Sequence, residues 1–128
     1  MDTLVDREFL QRYEADDLVR ELIALFVEDV PRMIELLRSA LHAGAVTTAA
    51  RSAHTLRGCA SNLGARALEE LAMQIEEAAR AGDANRASML TGELDALTEQ
   101  TEAELLEELE RRHISGTHDA PLYDTLMR

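Results

Sequence analysis

Apolar residues recur at steps of three and four along four long stretches of this chain, and a glycine closely follows three of them. A repeat near 3.6 residues is typical of an amphipathic helix, and glycine just past the last periodic residue readily ends one. The three stretches and their glycines are 16–42 with Gly44, 45–63 with Gly64, and 66–81 with Gly82. The pattern therefore predicts long helices joined by short turns.

A fourth long helix is predicted over residues 85–112, although Gly92 weakens its start. A short helix over Asp6–Tyr13 precedes the long ones. Because the connections are only a few residues long, successive helices should be antiparallel neighbours. We expect an all-α fold, an antiparallel up-down-up-down four-helix bundle with a short extra N-terminal helix, over residues 1–113. Residues 114–128 break the pattern and are expected to form a flexible C-terminal tail.

Each predicted helix has an apolar stripe that should face the core. Pro31 lies inside the first long helix and is expected to bend it or loosen a turn. The predicted inward residues are, helix by helix, Leu22, Phe26, Val30, Met33, Leu37 and Ala40; Ala49, Ala53, Leu56, Ala60 and Leu63; Leu68, Leu71, Ala72, Ile75 and Ala79; and Leu90, Leu94, Leu97, Thr101 and Leu105.

Charge and cysteine content narrow the function classes. The 128 residues carry a formal net charge of −12 and only 3% aromatic residues. An acidic surface repels phosphate groups, so nucleic acid and anionic membranes are poor partners. The same negative charge opposes self-association, and we therefore expect a monomer. Cys59 is the single cysteine, so no disulfide framework or paired-cysteine metal site is available. The start lacks a basic export signal, and we expect a cytoplasmic location.

The helix over 45–63 contains a histidine on the side opposite its apolar stripe. At 100° per residue, His54, Gly58 and Ser61 share that outer side, and Thr47 lies on it one or two turns earlier. Gly58 follows His54 by one turn and leaves the imidazole uncovered, although glycine inside a helix costs about 0.5–1 kcal/mol relative to alanine. Arg57 flanks the same strip. The strip therefore exposes one histidine among small side chains.

This combination suits phosphoryl transfer. A neutral imidazole is a nucleophile near pH 7, and it needs an open in-line approach with positive charge near the phosphoryl oxygens. In this interpretation His54 is the nucleophile, Gly58 provides clearance for a partner, and Arg57 supplies charge.

The segment AHTLRGCASNLGA, residues 53–65, resembles the motif of histidine-containing phosphotransfer (HPt) domains. The resemblance extends to LIALFVEDVPRMIELLRSAL before it and LEELAMQIEEAARAGD after it, and together these cover roughly residues 6–112. It implies a four-helix bundle that relays phosphoryl groups between the receiver domains of a hybrid sensor kinase and a response regulator. Such a domain is an intermediate without its own kinase or ATP site, cofactor or metal, since the catalytic Mg²⁺ belongs to the receiver.

Carried over by resemblance, His54 is the phosphoacceptor through Nε2, and Gly58 belongs to the docking surface, where Ser61 and Thr47 are further candidates. The family's usual lysine is Arg57 here, which keeps the charge but changes its geometry. Glu76 occupies a position that carries glutamine in some members. Its carboxylate could hold the imidazole but would repel an incoming phosphoryl group, so Glu76 is only a possible neighbour of His54.

Other classes fit less well. A di-iron bundle needs two Glu-x-x-His motifs, and only Glu110–His113 has that spacing. Histidine-kinase dimerisation domains carry an acidic residue directly after the histidine and a proline five residues on, where this chain has Thr55 and Cys59. The phosphotransfer domain of chemotaxis-type kinases shares the motif but belongs to a much longer chain. The alternative that stays open is a helical adaptor that binds a receiver or kinase without phosphotransfer.

Overall fold

The computed structural model describes residues 4–116, and every regular element among them is a helix. This confirms the all-helical class. The six helices of this part of the chain are α1 (Arg7–Gln11), α2 (Asp16–His42), α3 (Val46–Asn62), α4 (Arg66–Arg80), α5 (Ala84–Thr91) and α6 (Leu94–Gly116). No helix in the described range is apolar over the length that a membrane crossing requires. The predicted start of the tail at residue 114 is wrong, because α6 continues through residues 114–116 to Gly116, and the rest of the predicted tail lies outside the described residues.

Helices α2, α3 and α4 begin and end within one residue of the predicted bounds. Helix α2 continues through Pro31, whose ring lies on the exposed side. Its buried line is shifted from the predicted one, because Ile23 and Ile34 are fully covered while Leu22 and Met33 are only half-buried. The predicted inward residues of α3 and α4 are all buried.

The predicted helix over 85–112 is divided in two, which corrects that expectation. Helix α5 ends at Thr91, and Gly92 and Glu93 separate it from α6. At the break the backbone tightens, since the Glu93 N–H donates to the Leu90 carbonyl three residues earlier, at 3.0 Å. Glycine's poor helix propensity makes Gly92 a favourable place for this break. In α6 the burial centres on Leu94, Thr101, Leu105 and Leu109, whereas two residues predicted to face inward, Leu90 of α5 and Leu97 of α6, are only partly covered.

The turn between α3 and α4 requires glycine at position 64. Gly64 has a φ of +66°, and a Cβ atom there would lie 2.9 Å from Cδ1 of Phe9. The Ala65 N–H donates to the Ala60 carbonyl at 2.9 Å, which closes a Schellman motif at the end of α3. Gly44 and Gly82 repeat this positive φ after α2 and α4.

The N-terminal segment is tied to the α3–α4 turn and to α6. The Asp6 N–H donates to the Gly64 carbonyl at 2.8 Å, and the Asp6 side chain caps α1. The Leu4 and Val5 N–H groups donate to the carboxylate of Glu104 on α6. These bonds hold the segment against α6 and against the α3–α4 turn, which lies at the C-terminal end of α3.

Helix contacts place α3 between α2 and α4, with its most extensive packing against α4. Helix α6 packs against α2 and α4, and α5 packs against the same two helices. Because α3 and α4 lie side by side, an outward residue near the middle of α3 can reach side chains at the edge of α4. This pairing positions the candidate site.

Candidate functional site

His54 lies near the middle of α3 on its outer side, where 64% of its side chain is exposed. The residue before it, Ala53, is fully buried, and Leu56 and Ala60 continue the buried stripe. Burial of this stripe against the neighbouring helices fixes the rotation of α3 about its axis. The orientation of His54 follows from that rotation, as the sequence spacing predicts.

One carboxylate of α4 contacts the imidazole directly. Nδ1 of His54 lies 3.0 Å from Oε2 of Glu76, whose side chain is only 8% exposed. The sequence offered Glu76 as a possible neighbour of the histidine, and the structure brings the two together. Because an ionised carboxylate accepts hydrogen bonds only, Nδ1 is the donor in this contact, and in a neutral imidazole the lone pair then lies on Nε2.

Two arginines share the charge of Glu76. Arg57 on α3 donates from Nη1 to Oε1 at 3.3 Å. Arg80, one turn after Glu76 on α4, donates to Oε2 from Nε at 3.1 Å and from Nη2 at 2.8 Å. Burial raises the pKa of Glu76, but the hydrogen bonds from Arg80, His54 and Arg57 outweigh burial and lower that pKa overall. Glu76 is therefore a buried, ionised acceptor.

Gly58 adds open space beside the imidazole. It lies inside α3 with helical backbone, and a Cβ atom built on it would meet no other atom within 4 Å. Neither packing nor backbone conformation thus requires glycine at this position. The role of Gly58 in docking a partner stays a prediction, and the open space at its Cβ position is consistent with that role.

A scan against family models identifies the class of domain. The Hpt domain model matches residues 21–112, from the first turns of α2 into the last turns of α6. This match covers more than half of the chain. The chain belongs to the Hpt domain family. Searches of curated proteins and of solved structures find no significant match to this chain.

Membership in the Hpt family indicates histidine phosphotransfer in a phosphorelay at the level of the family. The matched range contains His54 together with all three of its charged neighbours. Two further predicted residues of this Hpt domain lie apart from that cluster. Thr47 is exposed and Ser61 is half-buried, each seven residues from His54 along α3, and neither hydrogen-bonds to the imidazole. They share its helix face without contacting it.

Arg80 is the one member of the cluster that the sequence analysis did not single out. Its signal is present in the sequence, since a glutamate followed four residues later by an arginine is a favourable pair on a helix surface. Such pairs are common on exposed faces, and nothing local distinguishes this one. Only the packing of α3 on α4 shows that the shared carboxylate faces His54.

Proposed function

We propose that this Hpt domain is the phosphorylated intermediate of a multistep two-component phosphorelay. His54 accepts a phosphoryl group on Nε2 from the aspartyl phosphate of a hybrid sensor kinase's receiver domain and passes it to the receiver domain of a response regulator. The observation that carries the proposal is the hydrogen bond between Nδ1 of His54 and Glu76, because it leaves Nε2 unprotonated on an exposed ring.

The transfer step follows from this arrangement. The lone pair of Nε2 forms the new N–P bond while the P–O bond to the aspartyl carboxylate breaks, and the bonding pair leaves with that carboxylate. The imidazole gains positive charge as the N–P bond forms. The Nδ1–H···Glu76 hydrogen bond then joins two charged groups, and such bonds are roughly twice as strong as neutral ones. Glu76 thus stabilises the ring as it becomes positive.

Charge near the ring also suits an incoming phosphoryl group. With a neutral imidazole, one glutamate and two arginines leave this cluster with a net positive charge. This local excess of positive charge contrasts with the formal net charge of −12 for the whole chain. Positive charge beside the ring stabilises the phosphoryl oxygens in the transition state.

We further propose that the four long helices form the antiparallel bundle typical of such a domain. The helix contacts close a cycle from α2 to α3, α4, α6 and back to α2. Turns of only a few residues join α2 to α3 and α3 to α4, which favours antiparallel neighbours. In this arrangement His54 and its charged neighbours lie on one open side, where a receiver domain has access.

The test is transfer from a phosphorylated receiver domain to the purified protein. We expect acid-labile, base-stable label on the wild type and on the control His42→Gln, which removes an exposed histidine at the end of α2. His54→Gln should take up no label. Label that persists in His54→Gln would overturn the assignment. Receivers that bind the wild type and never label it would favour the adaptor alternative.

A further inference from the structure

Arg80 contacts the same carboxylate oxygen as His54. Its Nε and Nη2 atoms donate to Oε2 of Glu76 at 3.1 and 2.8 Å, and Nδ1 of His54 lies 3.0 Å from that oxygen. Arg57 reaches the other oxygen, Oε1, at the longer distance of 3.3 Å. The two arginines therefore hold the carboxylate from different sides, and Arg80 holds the oxygen that faces the imidazole.

The contact of Arg80 with Glu76 is made within α4 and does not depend on His54. The two residues are one helical turn apart, a spacing at which oppositely charged side chains meet on a helix. Arg80 can therefore orient the carboxylate before the imidazole binds to it. The carboxylate needs this support, because its side chain is 8% exposed and burial by itself favours the neutral acid.

The protonation state of Glu76 decides which nitrogen of His54 is nucleophilic. An ionised Glu76 accepts from Nδ1–H and leaves the lone pair on Nε2, the nitrogen directed away from α4. A neutral Glu76 can donate its own proton to Nδ1, in which case the ring proton moves to Nε2 and blocks attack from that atom. A group that keeps the Glu76 carboxylate ionised and holds its Oε2 toward Nδ1 thus acts on the reaction without touching the phosphoryl group.

We propose that Arg80 is a positioning residue for phosphotransfer at His54, acting through Glu76 to keep the proton of the imidazole on Nδ1 and the lone pair on Nε2. This inference rests on the proposed function. The two arginines then have different roles. Arg57, three residues after His54 on α3, contributes charge near the ring. Arg80, on α4, orients the Glu76 carboxylate that accepts from the ring.

The direct test is the tautomer of His54 in the unphosphorylated full-length protein. Nitrogen-15 NMR of the ring nitrogens at pH 8, where a free imidazole is neutral, should show the Nδ1–H form as dominant in the wild type. In Arg80→Met, which keeps side-chain length but removes the charge and the donors, the Nε2–H form should become the dominant one. Arg80→Lys, which keeps the charge, should lie between the two.

The matched control is Arg111→Met. Arg111 is an exposed arginine on α6 that pairs with the buried Glu108 at 3.5 Å, in a part of the protein that does not contact His54. This variant loses an arginine that pairs with a buried glutamate on its own helix and should keep the wild-type tautomer. Thermal unfolding of both variants shows whether either change acts through global stability.

Transfer kinetics provide the second readout. At saturating phosphorylated receiver, Arg80→Met should transfer about tenfold more slowly than Arg111→Met, the change expected for one lost charge-assisted hydrogen bond. The half-saturating receiver concentration should change by less than about twofold, since Arg80 acts on the ring. An unchanged tautomer in Arg80→Met, or transfer as fast as in Arg111→Met, would overturn the role of Arg80. A wild-type protein that no receiver labels would instead overturn the proposed function.

Discussion

The imidazole of His54 and the carboxylate of Glu76 meet across the contact between α3 and α4, with Nδ1 and Oε2 3.0 Å apart. The side chains differ sharply in exposure, 64% for His54 and 8% for Glu76. The ring is therefore open to solvent on one side and contacts a fixed acceptor on the other. A carboxylate so close to the proposed phosphoacceptor would repel an incoming phosphoryl group by itself, but here Arg57 and Arg80 share its charge.

Glu76 should make stability depend on pH in a defined direction. Its pKa in the folded protein is lowered, because hydrogen bonds from Arg80, His54 and Arg57 outweigh the opposing effect of burial. A glutamate in the unfolded chain has a pKa of about 4.3. The stabilisation from ionised Glu76 is therefore fully present above about pH 4.3 and is lost as the pH falls through the lower folded value.

The measurement is urea unfolding of the wild type and Glu76→Gln at several pH values. At pH 5 the variant should be less stable by about 1.5–3 kcal/mol, the range for a hydrogen bond to a charged group. The difference should shrink as the pH falls to 3, because Glu76 loses its charge there. A difference that stays constant from pH 5 to pH 3 would contradict the lowered pKa.

Arg57 should act through its charge. It makes a single contact with Glu76, from Nη1 to Oε1 at 3.3 Å, and 41% of its side chain is exposed. Nothing in this contact uses the planar fork of the guanidinium, so Arg57→Lys should transfer nearly as fast as the wild type. Arg57→Ala should be slower by roughly tenfold, since it loses the charge near the phosphoryl oxygens. Equal rates for wild type and Arg57→Ala would remove Arg57 from the mechanism.

Gly58 should separate stability from activity. It is a helical residue with open space at its Cβ position, and both alanine and glutamine are better helix formers. Gly58→Ala and Gly58→Gln should therefore each raise the free energy of unfolding by roughly 0.5–1 kcal/mol. Gly58→Gln places a long side chain one turn from the imidazole, so its transfer rate should fall sharply, while Gly58→Ala should retain most of it.

The control for this pair is Gly64→Ala. Gly64 has a positive φ, and its added Cβ would lie 2.9 Å from Phe9, so this variant should lose stability where the Gly58 variants gain it. Thermal unfolding and receiver-to-His54 transfer are measured on all three variants. A Gly58→Gln protein that melts lower would indicate a packing role for Gly58, and one that transfers normally would place the docking surface elsewhere.

The isolated protein should be a monomer. Its described helices bury one continuous apolar core, and a formal net charge of −12 opposes self-association. Light scattering at micromolar concentration should give the mass of a single chain, 14.2 kDa. Twice that mass, persisting at moderate salt, would contradict the prediction and favour the dimeric arrangement of kinase dimerisation domains.

The bounds of α2, α3 and α4 could be predicted from the sequence because local features define them. Apolar residues at a 3.6-residue period make each helix, and glycines with positive φ end it. The outward direction of His54 follows from the same period, since the buried Ala53, Leu56 and Ala60 fix the rotation of α3. The separation of α5 from α6 at Gly92 also has a local cause, the low helix propensity of glycine. That propensity alone did not predict whether the helix would be weakened or interrupted there.

The charged cluster around His54 depends on tertiary structure. Glu76 is 22 residues from His54 in sequence, and its spacing on α4 fits an ordinary surface glutamate paired with Arg80. Packing of α4 against α3 buries this carboxylate, brings it to Nδ1 of the imidazole and places Arg57 on its other oxygen. Periodicity specifies which face of a helix is buried. A buried charge also needs hydrogen-bond donors, and here some of them come from another helix. Only the packing of the two helices in the folded protein brings these donors within hydrogen-bonding distance of the carboxylate.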